Sequence, residues 1–467
     1  MKLLLTGASG FIGQAVIAKL MRDGHELVLV SRSPSKLEKQ YGTLHTYYFW
    51  DALSGPPNKE VFEGVDGIIN LMGEGVANKR WTKKQKQKIS ESRVKGTKNL
   101  MDGAKKYAKH LQVVVSASAI GFYDRFQDGT LDESLPASNS FLGQLCQNWE
   151  NVAKTIPDDK PIRTVIFRIG VVLGYGGGAM AKMIPPFSWG LGGKMGTGKQ
   201  WMNWIHREDL ADLIASSIKN SDYSGTYNAV APENIQNKAF TKLLGKLLQR
   251  PTFFHVPSFV IRLLLGEFSV EVLSGQKIVS NHVNKTGFVF KYPTISQALE
   301  QVLSIKYIHH LGKKVRCDRF QCSQYLNHCP EKVFSFFSNA HNLEKITPPF
   351  LKFGVASQST KQIENGTIFN YKLKIRGLPI RWCSLITNWN PVKSFVDTQL
   401  KGPYRVWHHT HRFSAYLSGT LIEDEVYYAL PNLPFINTLF GWSVRRDINN
   451  IFEFRKKEID TIFQEKL

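Results

Sequence analysis

The stretch TGASGFIG, Thr6 to Gly13, decides how the first half of the chain is read. An apolar run, KLLLT, stands ahead of it as a buried strand. From Phe11 onward Ile12, Ala15, Val16 and Leu20 recur at helical spacing until Gly24 ends the run, and ELVLVSR (residues 26–32) supplies a second strand. Strand, glycine turn, helix and strand in that order give a glycine pattern its meaning. Gly7 permits the tight turn, Gly10 lets the backbone approach a pyrophosphate, and Gly13 lets helix and strand pack closely. Phe11 and Ile12 open the helix, whose free N–H groups and positive dipole end face an anion. A plain glycine turn is the competing reading.

The end of the second strand selects the dinucleotide. An acidic residue there would hold a ribose diol, whereas Ser31, Arg32 and Lys36 are donors suited to a 2′-phosphate, so NADP(H) is the expected cofactor. Against this, Arg32 could simply be a solvated residue at a strand rim. Leu71, Met72 and Gly73, at the end of VDGIINLMG (residues 65–73), are assigned to the same site.

At 467 residues the chain exceeds one ordinary core, and two domains are expected. With 42% hydrophobic and 12% aromatic residues it has a globular composition, and no apolar stretch approaches the roughly 18 residues of a membrane span. Its start carries no secretory pattern. Five cysteines, an odd count, argue for reduced thiols and a cytoplasmic setting. Cys317, Cys322, His328 and Cys329 cluster without any common zinc spacing, so no metal is expected. The formal charge of +22 is spread along the chain, with 23 Lys and Arg against 13 Asp and Glu from residue 301 onward. Such an excess suits phosphate-bearing cofactors, anionic membrane surfaces or nucleic acid alike. KRWTKKQKQK, Lys79 to Lys88, is read as a solvated helix face, and nucleic acid is set aside because no nucleic-acid fold motif accompanies it.

Further apolar strands, LQVVVSAS (111–118) and TVIFRIGVVLG (164–174), alternate with helices and imply a doubly wound parallel sheet covered on both faces. Together TGASGFIG, INLMGEGVANKRWT, SRVKGTKNL, SASAIGFY and WMNWIHREDLADLI resemble the atypical branch of extended short-chain dehydrogenases, the epimerase-family proteins. VPSFVIRLLLGE through GFVFKYPTISQAL is similar to that branch's C-terminal segment. The resemblance covers about residues 1–300. It implies a Rossmann-type NADP(H) domain with a small substrate-facing lobe at about 250–300.

Ordinary members of that group pair a Ser or Thr with a Tyr and a Lys four residues later, because free Tyr titrates near 10 and needs a neighbouring cation to act as a base at neutral pH. Ser118 matches the family serine. The Tyr and Lys positions fall in FLGQLCQNWE, where Glu150 fits a family glutamate and the two positions hold Leu142 and Cys146. The group's Asn-x-x-Gly-Thr stands here as Arg93 to Thr97, with Arg in place of Asn. Ser118 and Tyr123 are therefore the catalytic candidates, Tyr123 lying beyond the strand end where ligands bind in open α/β sheets; packing or stacking on a ligand is the alternative for Tyr123. Glu74, Lys79 and Arg80 either grip an acidic substrate or are solvated loop residues. His206, in HREDL, reads more as a helix cap than as a catalyst.

Residues 301–314 form the expected linker, and the second domain runs from 315 to 467. There PEKVFSFFSNAHNLEKI forms helix, and TIFNYKLKI, IRWCSLITNW, SFVDTQLKG, RVWHHTHRFSAYL and GTLIEDEVYYAL alternate as antiparallel strands. A closing helix runs from about Trp442 to Phe463. NLEKITPPFLKF, GLPIRW, FVDTQLKGPYRVWHHTHRF and DEVYYALP resemble the START-like, polyketide-cyclase-like ligand-binding domains. The resemblance implies an α+β helix-grip fold holding an apolar molecule between sheet and long helix. His409 and His411, two apart on one strand face with Trp407 and Phe413, are read as pocket-lining or packing residues, since a metal would need further ligands. Asp397 and Gln399 share a face; on the inner side they would orient a polar group of the ligand.

The expected function is an atypical NADP(H)-dependent oxidoreductase or epimerase acting on a small molecule, fused to a domain for a lipid-like ligand. The alternative is a non-catalytic sensor of both molecules, and a third reading is an anionic-surface binder.

Overall fold

The continuous apolar runs become the centre of a seven-stranded parallel sheet. Its strands are β1 (Lys2–Thr6), β2 (Glu26–Ser31), β3 (Thr46–Phe49), β4 (Gly67–Asn70), β5 (Val113–Ala119), β6 (Arg163–Ile169) and β7 (Gly225–Ala229), in the order β7-β6-β5-β4-β1-β2-β3. Every ladder is parallel, so both faces must be covered, and Leu3, Leu4, Leu5, Ile68, Ile69, Val113 and Val114 are fully buried. The order in which successive strands are added reverses between β1 and β4, and ligands of such sheets bind beyond the strand ends at that switch point. The sequence had pointed to five of the seven; β3 and β7 lie in less apolar stretches. Gly170 splits the predicted strand 164–174 into β6 and a short piece, Val171–Leu173.

The helices that position the site are α1 (Phe11–Arg22), α2 (Pro34–Tyr41), α3 (Lys83–Tyr107), α4 (Phe141–Ala153), α5 (Gly178–Ser188) and α6 (Arg207–Lys219). The side chain of Thr82 caps α3 by accepting from the Gln85 N–H, and Lys83, Lys84 and Lys88 of the basic run are exposed, the solvated face that the sequence suggested.

The computed structural model describes residues 1–41, 45–124, 129–155, 162–303, 306–310, 313–431 and 436–464, which fall into two units, Met1–Leu303 and Ser304–Leu467. Among the described residues no helix is long and apolar enough to cross a membrane.

The second unit is an antiparallel eight-stranded sheet in the order 306–310, 313–326, 419–429, 406–416, 394–401, 378–390, 368–375 and 354–358. The stretch expected as linker thus contains a strand, Lys306–His310, which pairs with residues 313–317. Two short helices, Pro330–Phe337 and Ala340–Lys345, and the long helix Ile436–Gln464 complete it. That helix starts six residues before the predicted Trp442. Its Ile448, Phe452, Ile459 and Phe463 are buried, as their spacing required, against Val426, Phe413, Ile422 and their neighbours.

Candidate functional site

The turn between β1 and α1 depends on its glycines. Gly7 holds φ +71°, and a Cβ there would lie 2.6 Å from the Leu71 carbonyl oxygen; one on Gly13 would collide with the carbonyl oxygen of Gly7. Gly10 caps α1 with no side-chain hydrogen bond, and the first turn carries no acidic residue. The opening N–H groups of α1 are left for an anion. Behind the turn the Thr6 hydroxyl donates to Asn70 Oδ1 (2.9 Å) and accepts from the Leu71 N–H (3.1 Å), while Asn70 Nδ2 donates to Thr97 Oγ1 (2.8 Å). This buried chain locks the β1 turn to the Leu71–Met72–Gly73 loop.

The candidate cofactor residues lie at the start of α1, at the ends of β2 and β4, and on α2. Phe11 and Ile12 are half-buried in the first turn of α1; Leu71 and Met72 are half-buried and Gly73 exposed at the end of β4. At the end of β2, Arg32 is exposed and Ser31 half-buried, its hydroxyl accepting from the Ser33 N–H at 3.1 Å; Lys36 is exposed on α2. The sequence reading passed over Arg207, whose guanidinium carbon stands 4.8 Å from the centre of the Phe11 ring and so brings a cation to the start of α1. Its position after HREDL's histidine gave no hint of that.

Ser118 and Tyr123 are brought together, but through partners. The Ser118 hydroxyl donates to Glu150 Oε1 at 2.6 Å; Arg168 grips both Glu150 oxygens at 2.9 Å and donates to the Tyr123 hydroxyl at 2.8 Å; that hydroxyl donates to Asn228 Oδ1 at 2.7 Å. All five side chains are buried. Burial pushes the Tyr123 phenol up to about 12, with Arg168 and Asn228 opposing, so it stays protonated and acts as a hydrogen-bond donor rather than a base at neutral pH. Arg168 was not singled out from sequence, although a cation in the middle of the apolar TVIFRIG is such a signal.

Leu142 and Cys146 of α4 carry no substitute chemistry. Leu142 packs with Ile89 and Leu145, and Cys146 with Phe122 and Tyr123, where burial raises the thiol to about 12. Arg93 instead fills the space beside Gly73, donating to the Glu74 carbonyl at 2.8 Å and standing 5.2 Å over the Trp149 ring. Glu74 is half-buried, whereas Lys79 and Arg80 are exposed, Arg80 donating to the Leu264 carbonyl.

His206 caps α6: its Nδ1 accepts from the Glu208 N–H at 3.2 Å and its Nε2 meets Gln301 Oε1 at 2.8 Å. Burial lowers its pKa to about 4 from 6.5. The folded chain keeps it neutral while the unfolded chain takes the proton, so its contribution is full above pH 6.5 and declines as pH falls toward 4, by about 1.4 kcal/mol per unit. Asp209, raised by burial to about 6, works in the opposite direction. We therefore expect His206→Asn, which keeps a cap and removes the titration, to gain about 2 kcal/mol relative to wild type between pH 7 and pH 5, read from urea melts of the first unit.

In the second unit the sheet and long helix enclose a cavity of about 830 Å³ walled by Phe336, Phe369, Trp382, Trp407, Phe395 and Phe452 among others. Asp397, His409, His411 and Arg455 face into it, so Asp397 lies on the inner side; Gln399 instead donates to the Tyr404 carbonyl and holds a turn.

Residues 3–230 match the family model described as NAD dependent epimerase/dehydratase family, and residues 256–302 match a domain of unknown function, DUF1731. The chloroplastic epimerase family protein SDR39U1 homolog of Arabidopsis thaliana is 34% identical over 307 residues, 65% of this chain and 87% of the relative. Epimerase family protein YfhF of Bacillus subtilis is 34% identical over 65% of this chain and 98% of its own. Among solved structures, human epimerase family protein SDR39U1 with NADPH is similar at 33% identity and TM-score 0.59, over 65% of this chain and 99% of that one. The UDP-glucuronic acid 4-epimerase of Bacillus cereus in complex with NAD, at 17% identity and TM-score 0.53, shares the fold. With relatives above 30% identity covered almost end to end, the chain belongs to the NAD dependent epimerase/dehydratase family, beside the epimerase family proteins.

Proposed function

We propose that residues 1–303 bind NADP(H) and act as an oxidoreductase or epimerase on a small molecule, and that residues 304–467 are a START-like domain holding a hydrophobic ligand. The observation that carries the first half is the uncapped start of α1 behind Gly7 and Gly13, which leave no room for a Cβ, with Arg32 exposed at the end of β2. Backbone N–H groups at Phe11 and Ile12 would receive the pyrophosphate, with Gly10, whose own N–H is spent on the Gly7 carbonyl, leaving room for its approach; Arg32, Ser31 and Lys36 would receive the 2′-phosphate, and Leu71, Met72 and Gly73 would line the far side. When bound, the nicotinamide would supply or accept hydride. Ser118 and Tyr123 are the hydroxyls assigned to the proton side of that chemistry, Ser118 held by Glu150 and Tyr123 kept protonated by burial. NADPH bound to the human relative supports the cofactor. Five free thiols fit a reducing cytoplasm, and nucleic acid has no part in this reading.

Arg32→Ala is expected to weaken NADPH about 10–100-fold and leave NADH unchanged, as loss of charge-assisted bonds to one phosphate predicts, measured by calorimetric titration. Equal loss for both coenzymes would remove Arg32 from the 2′-phosphate. Purified protein with NADPH and a panel of carbonyl and lipid-like compounds tests the chemistry: an enzyme loses turnover in Ser118→Ala and Tyr123→Phe while keeping coenzyme affinity. A second reading, a non-catalytic sensor of dinucleotide and lipid-like molecule, is favoured by one observation. The hydrogen bonds of both hydroxyls are consumed inside the buried network. No turnover with any compound, at full coenzyme occupancy, would establish it over the first.

The START-like reading of the second unit rests on its antiparallel sheet, its long closing helix and the apolar cavity between them.

A further inference from the structure

His409 and His411 lacked a third partner in the sequence; the fold supplies one. Val406–Tyr416 and Gly419–Ala429 are adjacent antiparallel strands, and their register sets His411 directly opposite Asp424 and His409 opposite Val426. Because side chains alternate between faces, His409, His411 and Asp424 all point to the face that the long helix covers. Asp424 Oδ1 lies 2.9 Å from His409 Nε2 and 2.8 Å from His411 Nδ1, and the three atoms fall within 4.8 Å of one another. All three side chains are more than nine-tenths buried.

We infer that His409 Nε2, His411 Nδ1 and Asp424 Oδ1 form a site for a divalent transition-metal ion, open on its remaining side to the apolar cavity. Three features carry this. Of the two imidazole nitrogens drawn to Asp424 Oδ1, only His409 Nε2 has hydrogen-bond geometry toward it; His411 Nδ1, at 2.8 Å, is buried and poorly directed, and a badly satisfied buried polar atom is costly unless a ligand occupies it. Two imidazoles and one carboxylate are a donor set suited to first-row ions, and three ligands on one side leave further positions free. Ligands about 2.1 Å from an ion and at right angles stand about 3 Å apart, close to both measured edges. Neighbouring strands of a continuous sheet hold the donors without ordering a loop. Cys322 Sγ stands 3.9 Å from Asp424 Oδ2, on the carboxylate's other oxygen, as outer partners of metal ligands do.

His409 and His411 line the cavity themselves, so the free positions would face whatever molecule it holds. An apolar compound bearing one oxygen donor, a hydroxyl, carbonyl or carboxylate, fits that arrangement. Asp397 and Arg455 face the same space, and each leaves one buried polar atom unpaired, Asp397 Oδ1 and Arg455 Nε. They would contact such a donor group rather than the ion.

The test titrates the full chain, stripped by chelator and dialysed, with Co²⁺ and with Zn²⁺. The expected result is one tight equivalent per chain, visible d–d absorption for Co²⁺, and displacement of Co²⁺ by Zn²⁺. His411→Ala and Asp424→Asn should each lose more than the roughly 10–100-fold in affinity that outer-shell partners carry. Replacing the exposed His341 by Ala should change nothing. The absence of a saturable equivalent in wild type overturns the site even if a variant fails to fold, and so does one that survives in folded His411→Ala. Coenzyme binding by the first unit is a separate readout, so failure here leaves the proposed oxidoreductase or epimerase reading standing.

Discussion

Arg168→Leu is expected to destabilise the first unit by about 3–5 kcal/mol, the range for removing one partner of a buried ion pair. Arg168 and Glu150 are 5% and 4% exposed, and the guanidinium spends Nε and Nη2 on the two carboxylate oxygens at 2.9 Å and Nη1 on the Tyr123 hydroxyl at 2.8 Å. Its carbon also lies 3.4 Å from the centre of the Phe122 ring, so the aromatic face and the fork hold it in one pose. Leucine would leave the Glu150 carboxylate buried with only the Ser118 hydroxyl as a donor. Lysine should rescue little, since an ammonium cannot span both oxygens and the phenol at once. The double variant Arg168→Leu with Glu150→Leu should recover most of the loss, because the penalty belongs to the unpaired charge. Urea denaturation followed on the first unit's own transition decides the matter. A loss below 1 kcal/mol for the single variant would mean that water reaches Glu150.

That network also marks the limit of what the sequence disclosed. The glycine turn, α1 and the central strands were legible because their residues bind locally: apolar period, turn chemistry and helix start all lie within about 30 positions. β3 was not, since Thr46–Phe49 is half-exposed at the sheet edge and has no continuous apolar run. Nor was β7, whose GTYNA gains its burial from β6 beside it rather than from its own composition. Likewise Tyr123, Arg168 and Asn228 lie 45 and 60 positions apart along the chain, and only the parallel register that sets Asn228 beside Arg168 brings them together. In the second unit the five strands between residues 368 and 429 were readable from their alternation, whereas Lys306–His310 fell in the expected linker and Gly354–Gln358 was not foreseen. Register was not readable, and register alone joins Asp424 to His411. Residues whose role depends on which strand lies next to which cannot be assigned from spacing along one strand.

Gly10→Ala and Gly13→Ala should separate fold from coenzyme binding, and both effects on affinity are expected to be large. At Gly13 a new methyl would meet the carbonyl oxygen of Gly7 and stand 3.0 Å from the Cα of Ala8, backbone atoms that cannot swing aside. The turn must move as a whole, so stability should fall by about 1–3 kcal/mol, as for other overpacked sites, and NADPH affinity by more than about 100-fold. Gly10 differs. Its φ of −75° suits alanine, it is exposed, and its Cβ would reach only 3.0 Å from the Gly7 oxygen. Stability should change by less than about 1 kcal/mol. The methyl would nevertheless occupy the space through which a pyrophosphate approaches the α1 N–H groups, and affinity should drop at least about tenfold. Calorimetry with NADPH on both variants, paired with thermal melts, reads the two quantities independently. If Gly10→Ala melts and binds as wild type does, the phosphates do not sit on this turn. If Gly13→Ala binds normally, the turn yields more readily than two facing backbone segments allow, and the close packing of α1 on β1 is not what shapes the cradle.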